Sequence, residues 1–205
     1  KSIYALPEII GNKIKEYNII GCPGCYPTSI LLPLIPLIKK NLIKTENIII
    51  DCKSGYSGAG RGVHEKYKNK NLYESLSSYG VGFHKHNSEI QQEINNYTKK
   101  KFTFTFTPHL APIDLNKGVN IKDLEKILNM EYSKNRFVKI RKQNNLISTN
   151  EVINTNYCHL SICKTKYKNK VIILSAIDNL IKGGAGQAIQ NMNLKFNFPE
   201  TKGLR

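Results

Sequence analysis

The pattern of apolar and polar positions divides the chain into short helices and strands. Residues 28–43 carry apolar side chains at helical spacing, with two prolines early in the run, and residues 121–134 form a second, amphipathic helical pattern. Phenylalanine and threonine alternate over residues 101–112, as in a half-buried strand that stops at Pro108. The short apolar run within residues 47–55 predicts a buried strand that leads into a loop.

The pattern also predicts a helix after residue 87, a hairpin and a glycine-rich segment that leads into a last helix. Ser88 and Gln91 have the spacing of a capping box, which predicts a helix start just after "HKHN". Residues 159–178 predict two strands around a lysine-rich turn, and residues 180–196 predict the last helix. This mixture predicts an α+β (α/β) fold.

Composition narrows the class of protein. With 205 residues and 40% hydrophobic content, the chain is globular. The net charge of +16 suggests nucleic acid, but lysines are spread along the whole chain and only four of the basic residues are arginine. We therefore predict solvated lysines and no nucleic-acid partner, although a basic surface favours small anionic substrates.

The chain shows no sign of a membrane or a secreted environment. No run of about 18 apolar residues is present, so no membrane span is expected. The odd number of cysteines matches no secreted disulfide framework. These are Cys22, Cys25, Cys52, Cys158 and Cys163. A reducing, cytoplasmic location is the expectation.

The Cys22-Pro-Gly-Cys25 segment has three chemical interpretations. A zinc clip needs a second ligand pair, and Cys158 and Cys163 on a predicted strand are poorly placed for one, so no metal is expected. A redox pair stays open, since the motif follows a strand and opens a helix. A single nucleophile is better supported, because a helix N-terminus at Cys25 lowers a thiol pKa and stabilises an oxyanion. A small buried apolar role for Cys25 is the remaining alternative.

A thiolate catalyst needs a proton shuttle, which His84 or His86 could provide. Alternating residues of an extended segment point to opposite sides, so only one histidine is expected to face the site. His109 follows a strand and fits a strand-end role. The lysine-, serine- and glycine-rich residues 51–61 suit either anion binding or an ordinary turn.

Five motifs in order carry a family resemblance. They are "PGCYPT", "KSGYSGAGR", "HKHNSEI", "FTPHLAP" and "AIDNLIKGGAGQAIQNMN" with a following "PETKGL". Together they resemble N-acetyl-gamma-glutamyl-phosphate reductase, a relative of aspartate-semialdehyde dehydrogenase, from residue 4 to residue 204. This resemblance implies an oxidoreductase of arginine biosynthesis that uses NADPH to reduce N-acetyl-glutamyl 5-phosphate to the semialdehyde and releases phosphate.

The resemblance assigns roles to particular residues. Cys25 would be the nucleophile that forms a thioester, and His86 or His84 would supply the acid and base. Substrate and phosphate contacts would come from Lys53, Ser54, Ser57 and Arg61. Contacts with NADP(H) would come from Gly55, Gly58, Asn179, Lys182 and Gly183.

The resemblance also implies an architecture. The expected fold is a glyceraldehyde-3-phosphate-dehydrogenase-like catalytic domain, with a mixed, largely antiparallel sheet and helices on one face. Residues 1–23 would be a junction to an NADP-binding domain, residues 24–177 the catalytic and dimerisation domain, and residues 178–205 a C-terminal helix and tail that pack on the cofactor domain. A homo-oligomer, either dimer or tetramer, is expected.

The sequence departs from the family pattern at four points. Cys22 replaces an asparagine and Ser88 replaces a proline, while a strand before residues 121–134 is expected to be shortened or lost. The family's N-terminal Rossmann domain, with its glycine-rich turn, has no counterpart in this sequence, so NADP(H) would be bound mainly elsewhere. The alternative function is a non-catalytic remnant or dimerisation module.

Overall fold

The computed structural model describes residues 1–54, 84–106, 113–167 and 169–205. The strands are β1 (Ser2–Tyr4), β2 (Ile19–Gly21), β3 (Ile48–Ile50), β4 (Phe104–Phe106), β5 (Ile113–Asp114), β6 (Val138–Ile140), β7 (Cys158–Lys164) and β8 (Lys170–Ile177). The α-helices are α1 (Pro7–Ile10), α2 (Cys25–Lys39), α3 (His86–Asn95), α4 (Ile121–Tyr132) and α5 (Gly186–Lys195). Short 3₁₀ segments cover Gly11–Glu16 and Thr149–Glu151, and a π-helical turn covers Ile181–Ala185.

The largest sheet of the described residues has four strands in the order β5-β8-β7-β6. Strand β8 is antiparallel to both β5 and β7, whereas β6 and β7 are parallel. The predicted fold class, with its mixed and largely antiparallel sheet, is thus confirmed. Two further parallel pairs, β1 with β2 and β3 with β4, lie outside this sheet and were not predicted.

Helix α2 is the centre of the core. It packs against α3, α4 and β8, and twelve of its fifteen residues are buried. Burial of each of its leucine and isoleucine side chains contributes about 1.5–3 kcal/mol. The helix begins three residues before the predicted range, so Pro33 and Pro36 lie inside it and not in its first turn. Packing on several sides outweighs the hydrogen bonds that these prolines remove.

Several predicted elements are confirmed. Strands β7 and β8 form the predicted hairpin, in which Ser161 pairs with Leu174. Helix α4 has its apolar side in the core, and Asn120 and Asp123 close its N-terminus as a capping box. Strand β4 lies within the alternating segment, with Phe102 and Phe106 buried. Residues 116–120 contain no strand, in line with the expected loss before α4.

Helix α3 begins at His86, two residues earlier than predicted. Ser88 does not cap it, because its hydroxyl donates to the carbonyl oxygen of Lys85 at 3.1 Å. The backbone N–H of His86 donates instead to Nδ1 of His84 at 3.2 Å. The predicted capping box at Ser88 is therefore wrong, and a histidine ring takes over one of the free N–H groups at the helix start.

The two ends of the chain pack together. Asn191 on α5 donates to the carbonyl oxygen of Ala5 at 3.2 Å, and Lys195 donates to that of Lys15 at 2.8 Å. These contacts join residues 1–23 to residues 178–205, while the predicted division into three parts stays a prediction. Within the described ranges, no helix is long and apolar enough to cross a bilayer.

Candidate active site

Cys25 is the first residue of α2 and is half-buried. Gly24 precedes it as the N-cap in an extended conformation, with φ −71° and ψ 175°. Both the backbone N–H and the hydroxyl of Thr28 donate to the Gly24 carbonyl oxygen, at 3.0 and 2.9 Å. The predicted position of Cys25 at a helix N-terminus is confirmed, so unpaired backbone N–H groups surround the thiol.

The thiol of Cys25 is not ionised more easily than an ordinary cysteine. Burial raises its pKa, and this outweighs the backbone N–H groups of Tyr26 and Cys25 and the charge of Lys85, which lower it. The prediction of a lowered thiol pKa is therefore wrong. Half-burial destabilises the thiolate by removing its hydration, and the N–H groups of one helix end stabilise the thiolate by less than this. At neutral pH the side chain is a thiol, and it needs a base.

His86, a candidate for that base, lies next to the N-cap. The ring of His86 lies against Gly24, where an added Cβ would be 2.5 Å from its Cε1 atom. Its Nδ1 atom is 2.6 Å from Oε2 of Glu89, one helical turn further on. A carboxylate can only accept, so Nδ1 donates to Glu89, which leaves Nε2 as the nitrogen that can exchange a proton with a neighbour. Glu89 thus orients His86 in the way that a third group orients a catalytic base.

Both histidines lie on the same side of the segment. The rings of His84 and His86 are 5.0 Å apart, and both lie edge-on to Tyr26, at 5.5 and 6.1 Å. The two rings lie together because α3 begins at His86 and ends the extended alternation, while the expectation that only one of them faces the site stays a prediction. Burial, followed by the charges of His86 and Lys85, lowers the pKa of His84.

Gly183 brings the turn before α5 against Cys25. An added Cβ at this position would lie 2.6 Å from the Cβ atom and 3.0 Å from the Cα atom of Cys25. Only a residue without a side chain allows this approach. The sequence placed Gly183 among the cofactor contacts, and the structure places it against Cys25.

A cleft of about 610 Å³ opens beside Cys25. Lys53, Ser54 and Asn179 line it together with Cys25, as do the apolar strands β3 and β8. The Tyr26 hydroxyl donates to Oγ of Ser54 at 2.9 Å, which holds residues 51–54 against the first turn of α2. The remaining predicted contacts lie outside the described residues. They are Gly55, Ser57, Gly58 and Arg61, as well as His109.

Lys182 does not lie with these residues. Its side chain is fully buried, and its ammonium pairs with the carboxylate of Glu8. The ammonium also donates to Oε1 of Gln190 at 2.7 Å, and the Gln190 amide donates to Glu8 at 2.9 Å. This cluster ties the start of the chain to α5. We therefore give Lys182 a structural role and leave it out of the proposed cofactor contacts.

The two cysteines of the Cys22-Pro-Gly-Cys25 segment do not form a disulfide. Cys22 is exposed and its sulfur accepts from Asn191 at 3.4 Å, while Cys25 lines the cleft. All five cysteines are free thiols. Across the described ranges, no three His, Cys, Asp or Glu side chains form a group that could hold a metal ion.

Sequence reasoning missed two residues of this site. Glu89 and Tyr26 were not predicted to take part, although each had a signal. Glu89 is three residues after His86, which puts both on one face of a helix. Tyr26 directly follows the nucleophile, but its contacts with Ser54, His84 and His86 depend on segments distant in sequence.

The fold is that of the semialdehyde dehydrogenases. An aspartate semialdehyde dehydrogenase II from Vibrio cholerae superimposes with a TM-score of 0.67 at 13% identity, over 96% of this chain and 68% of that one. The enzyme from Francisella tularensis gives 0.65 at 16% identity, over 93% of this chain and 70% of that one.

The family model for the dimerisation domain of semialdehyde dehydrogenases matches residues 25–179, and the chain belongs to this family. A probable chloroplastic N-acetyl-gamma-glutamyl-phosphate reductase of Arabidopsis thaliana is 44% identical over 98% of this chain and 53% of its own length. The N-acetyl-gamma-glutamyl-phosphate reductase of Alkaliphilus metalliredigens is 43% identical over all of this chain and 62% of its own length. The chain thus spans between half and two thirds of these relatives, and the resemblance found in its motifs is confirmed.

Proposed function

We propose that this chain is the catalytic part of an NADPH-dependent reductase that converts N-acetyl-glutamyl 5-phosphate to the 5-semialdehyde and phosphate. The observation that carries the proposal is the arrangement of Cys25, at the start of α2, with the His86–Glu89 pair against its N-cap glycine. Relatives with the name of this reductase, at 43–44% identity, support the choice of substrate.

The reaction begins with the Cys25 thiol, since burial raises its pKa. Nε2 of neutral His86 takes the thiol proton as the sulfur attacks the acyl carbon. The carbon–oxygen bond to phosphate then breaks, which leaves a thioester on Cys25. The backbone N–H groups at the start of α2 stabilise the oxyanion of the tetrahedral intermediate.

When bound, mainly by a part of the enzyme outside this chain, NADPH would supply the hydride that reduces the thioester. Among the described residues, Asn179 could contact the nicotinamide ring, because it lines the same cleft as Cys25. The thiohemiacetal oxyanion collapses to the aldehyde and expels the Cys25 thiolate. That thiolate recovers its proton from the His86 imidazolium.

The phosphate of the substrate would lie at the loop after β3. Lys53 and Ser54 line the cleft there, and Ser57 and Arg61 follow in sequence. Lysine and arginine cations with serine hydroxyls suit an acyl phosphate. The family's description as a dimerisation domain supports a homo-oligomer, a dimer or a tetramer. The five free thiols are consistent with a reducing, cytoplasmic location.

The test is turnover of Cys25→Ser in the complete reductase, with this chain joined to a dinucleotide-binding domain. Activity is followed in reverse, from semialdehyde, NADP and phosphate. We expect nearly complete loss of turnover, because a serine hydroxyl is much harder to ionise than a thiol. Cys22→Ser is the matched control, since this exposed cysteine lies three residues away and outside the cleft.

Retained turnover in Cys25→Ser would overturn the proposal. A wild-type protein that forms the homo-oligomer but lacks turnover when a dinucleotide-binding domain is present would identify a dimerisation module instead.

A further inference from the structure

Asp51 carries a buried carboxylate that the proposed mechanism does not use. It directly follows β3 and lines the same cleft as Cys25. Both of its carboxylate oxygens are buried, and neither has a hydrogen-bond partner among the residues that the structure describes. A buried carboxylate without a donor is costly in free energy, so a donor that arrives with the ligand would stabilise it.

A second carboxylate in this cleft shows the contrast. Oδ1 of Asp178 accepts from the backbone N–H groups of Leu180 and Ile181 at 2.8 and 3.0 Å. Its Oδ2 accepts from the N–H of Asn154 at 2.9 Å. Asp178 thus has its donors within the fold and stabilises the turn before α5. Asp51 differs from Asp178 because neither of its carboxylate oxygens accepts a hydrogen bond from a described residue.

The position of Asp51 suits the far end of a substrate held on Cys25. Ser54, three residues on, is hydrogen-bonded to Tyr26, the neighbour of Cys25. Since an extended chain spans at most about 3.6 Å per residue, the Cα atoms of Asp51 and Ser54 are within about 11 Å of each other. Asp51 and Cys25 line one cleft, and Cys52, the residue after Asp51, is close enough to Cys25 for the two thiols to interact electrostatically.

We propose that Asp51 is a specificity-determining residue that accepts a hydrogen bond from the amide N–H of the acylamino substrate. This inference rests on the proposed function. The phosphate and the α-carboxylate of N-acetyl-glutamyl phosphate are both anionic, and the Asp51 carboxylate repels them. The amide N–H is the donor that this substrate offers to a carboxylate. An ester in place of the amide would leave both Asp51 oxygens unpaired.

The test compares two ligands that differ only at this group, N-acetyl-glutamate 5-semialdehyde and its 2-acetoxy ester counterpart. Wild-type complete reductase should prefer the amide by about 10–100-fold in kcat/KM, the size of a hydrogen bond to a charged group. Asp51→Leu, of similar volume and without an acceptor, should abolish this preference, so that the amide-over-ester ratio falls to about one. Asp51→Asn keeps one acceptor oxygen and should fall between the two.

Asp178→Asn is the matched control, because this carboxylate lies in the same cleft and both of its oxygens already accept hydrogen bonds from the backbone. It should lower thermal stability and leave the amide-over-ester ratio unchanged. If Asp51→Leu keeps the wild-type amide-over-ester ratio, the proposal is overturned. If its melting temperature also falls, Asp51 has a structural role only.

A binding measurement separates this inference from the proposed reaction. The dissociation constants of N-acetyl-L-glutamate and 2-acetoxyglutarate are measured by calorimetry on the wild-type, Asp51→Leu and Cys25→Ser proteins. Selective loss of amide binding in Asp51→Leu supports the Asp51 assignment even if Cys25→Ser retains turnover. Equal loss of both ligands contradicts the assignment and leaves the reductase reaction standing.

Discussion

Gly183 and Cys25 are in contact across the site, at a distance that leaves no room for a side chain on residue 183. An added Cβ would lie 2.6 Å from the Cβ and 3.0 Å from the Cα of Cys25, and neither atom can move without a shift of the start of α2. The turn before α5 therefore packs directly against the start of α2.

Gly183→Ala should displace Cys25. We expect a loss of about 1–3 kcal/mol in the free energy of unfolding, as for other overpacked sites, with a larger proportional loss of turnover. Urea unfolding and kcat/KM measure the two effects. Gly21→Ala is the control, because its added Cβ meets its nearest atom at an ordinary 3.6 Å. Normal turnover in Gly183→Ala would contradict the contact.

Gly24→Ala should separate stability from catalysis. The backbone at residue 24, with φ −71° and ψ 175°, is open to alanine, so the loss of a preferred N-cap residue should cost at most about 1 kcal/mol in the free energy of unfolding. The new methyl group would, however, stand 2.5 Å from Cε1 of His86. We expect kcat to fall at least about tenfold while the melting temperature falls by at most about 2–4 °C. An active Gly24→Ala protein would show that His86 can act from another position.

Glu89→Gln replaces a charge-assisted hydrogen bond to His86 by a neutral one. The difference of about 1 kcal/mol predicts a fall in kcat/KM of roughly five- to tenfold, and Glu89→Ala should lose more. Nitrogen NMR shifts of the His86 ring should show that Nδ1 is less often protonated in Glu89→Ala. Gln92→Ala, an exposed position on the same helix, serves as the control.

If the His86 tautomer is unchanged in Glu89→Ala, Glu89 does not orient the base. Such a result would leave the proton-transfer role of His86 itself intact.

Lys182→Met should destabilise the chain strongly. It leaves the buried carboxylate of Glu8 without its cation, which costs about 3–5 kcal/mol in the free energy of unfolding. Glu8→Gln in the same protein should recover part of this loss. Lys39→Met is the comparison, since the Lys39–Glu131 pair is 3.7 Å apart and partly exposed, and its loss should cost less than about 1 kcal/mol. Similar costs for both variants would argue against a buried pair.

The reactivity of Cys25 should follow its raised thiol pKa. Alkylation by iodoacetamide should reach half its maximal rate at a higher pH in the folded chain than in the urea-unfolded chain. The folded state holds this proton more tightly, so its contribution to stability is complete below the unfolded thiol pKa and is lost as pH rises through the folded one. A midpoint below that of the unfolded chain would show that the helix N-terminus outweighs burial.

Local sequence patterns were sufficient to predict most of the helices and strands. Apolar spacing located α2, α4 and the β7–β8 hairpin, since α4 buries one regular face and α2 and β7 are apolar runs buried on several sides. The start of α3 was misplaced, since the group that accepts the first free N–H is the ring of His84 and not the hydroxyl of Ser88. Capping by a side chain of the preceding turn has no fixed sequence pattern.

The sequence by itself determined the family, the choice of Cys25 as the proposed nucleophile and its place at a helix start, because these depend on motifs and on neighbours along the chain. The tertiary structure decided the rest of the site. It set Gly183 against Cys25, buried Lys182 with Glu8, placed both histidines beside Tyr26 and raised the thiol pKa. Burial and pairing depend on segments far apart in sequence, and desolvation by those segments outweighed the local field of the helix end.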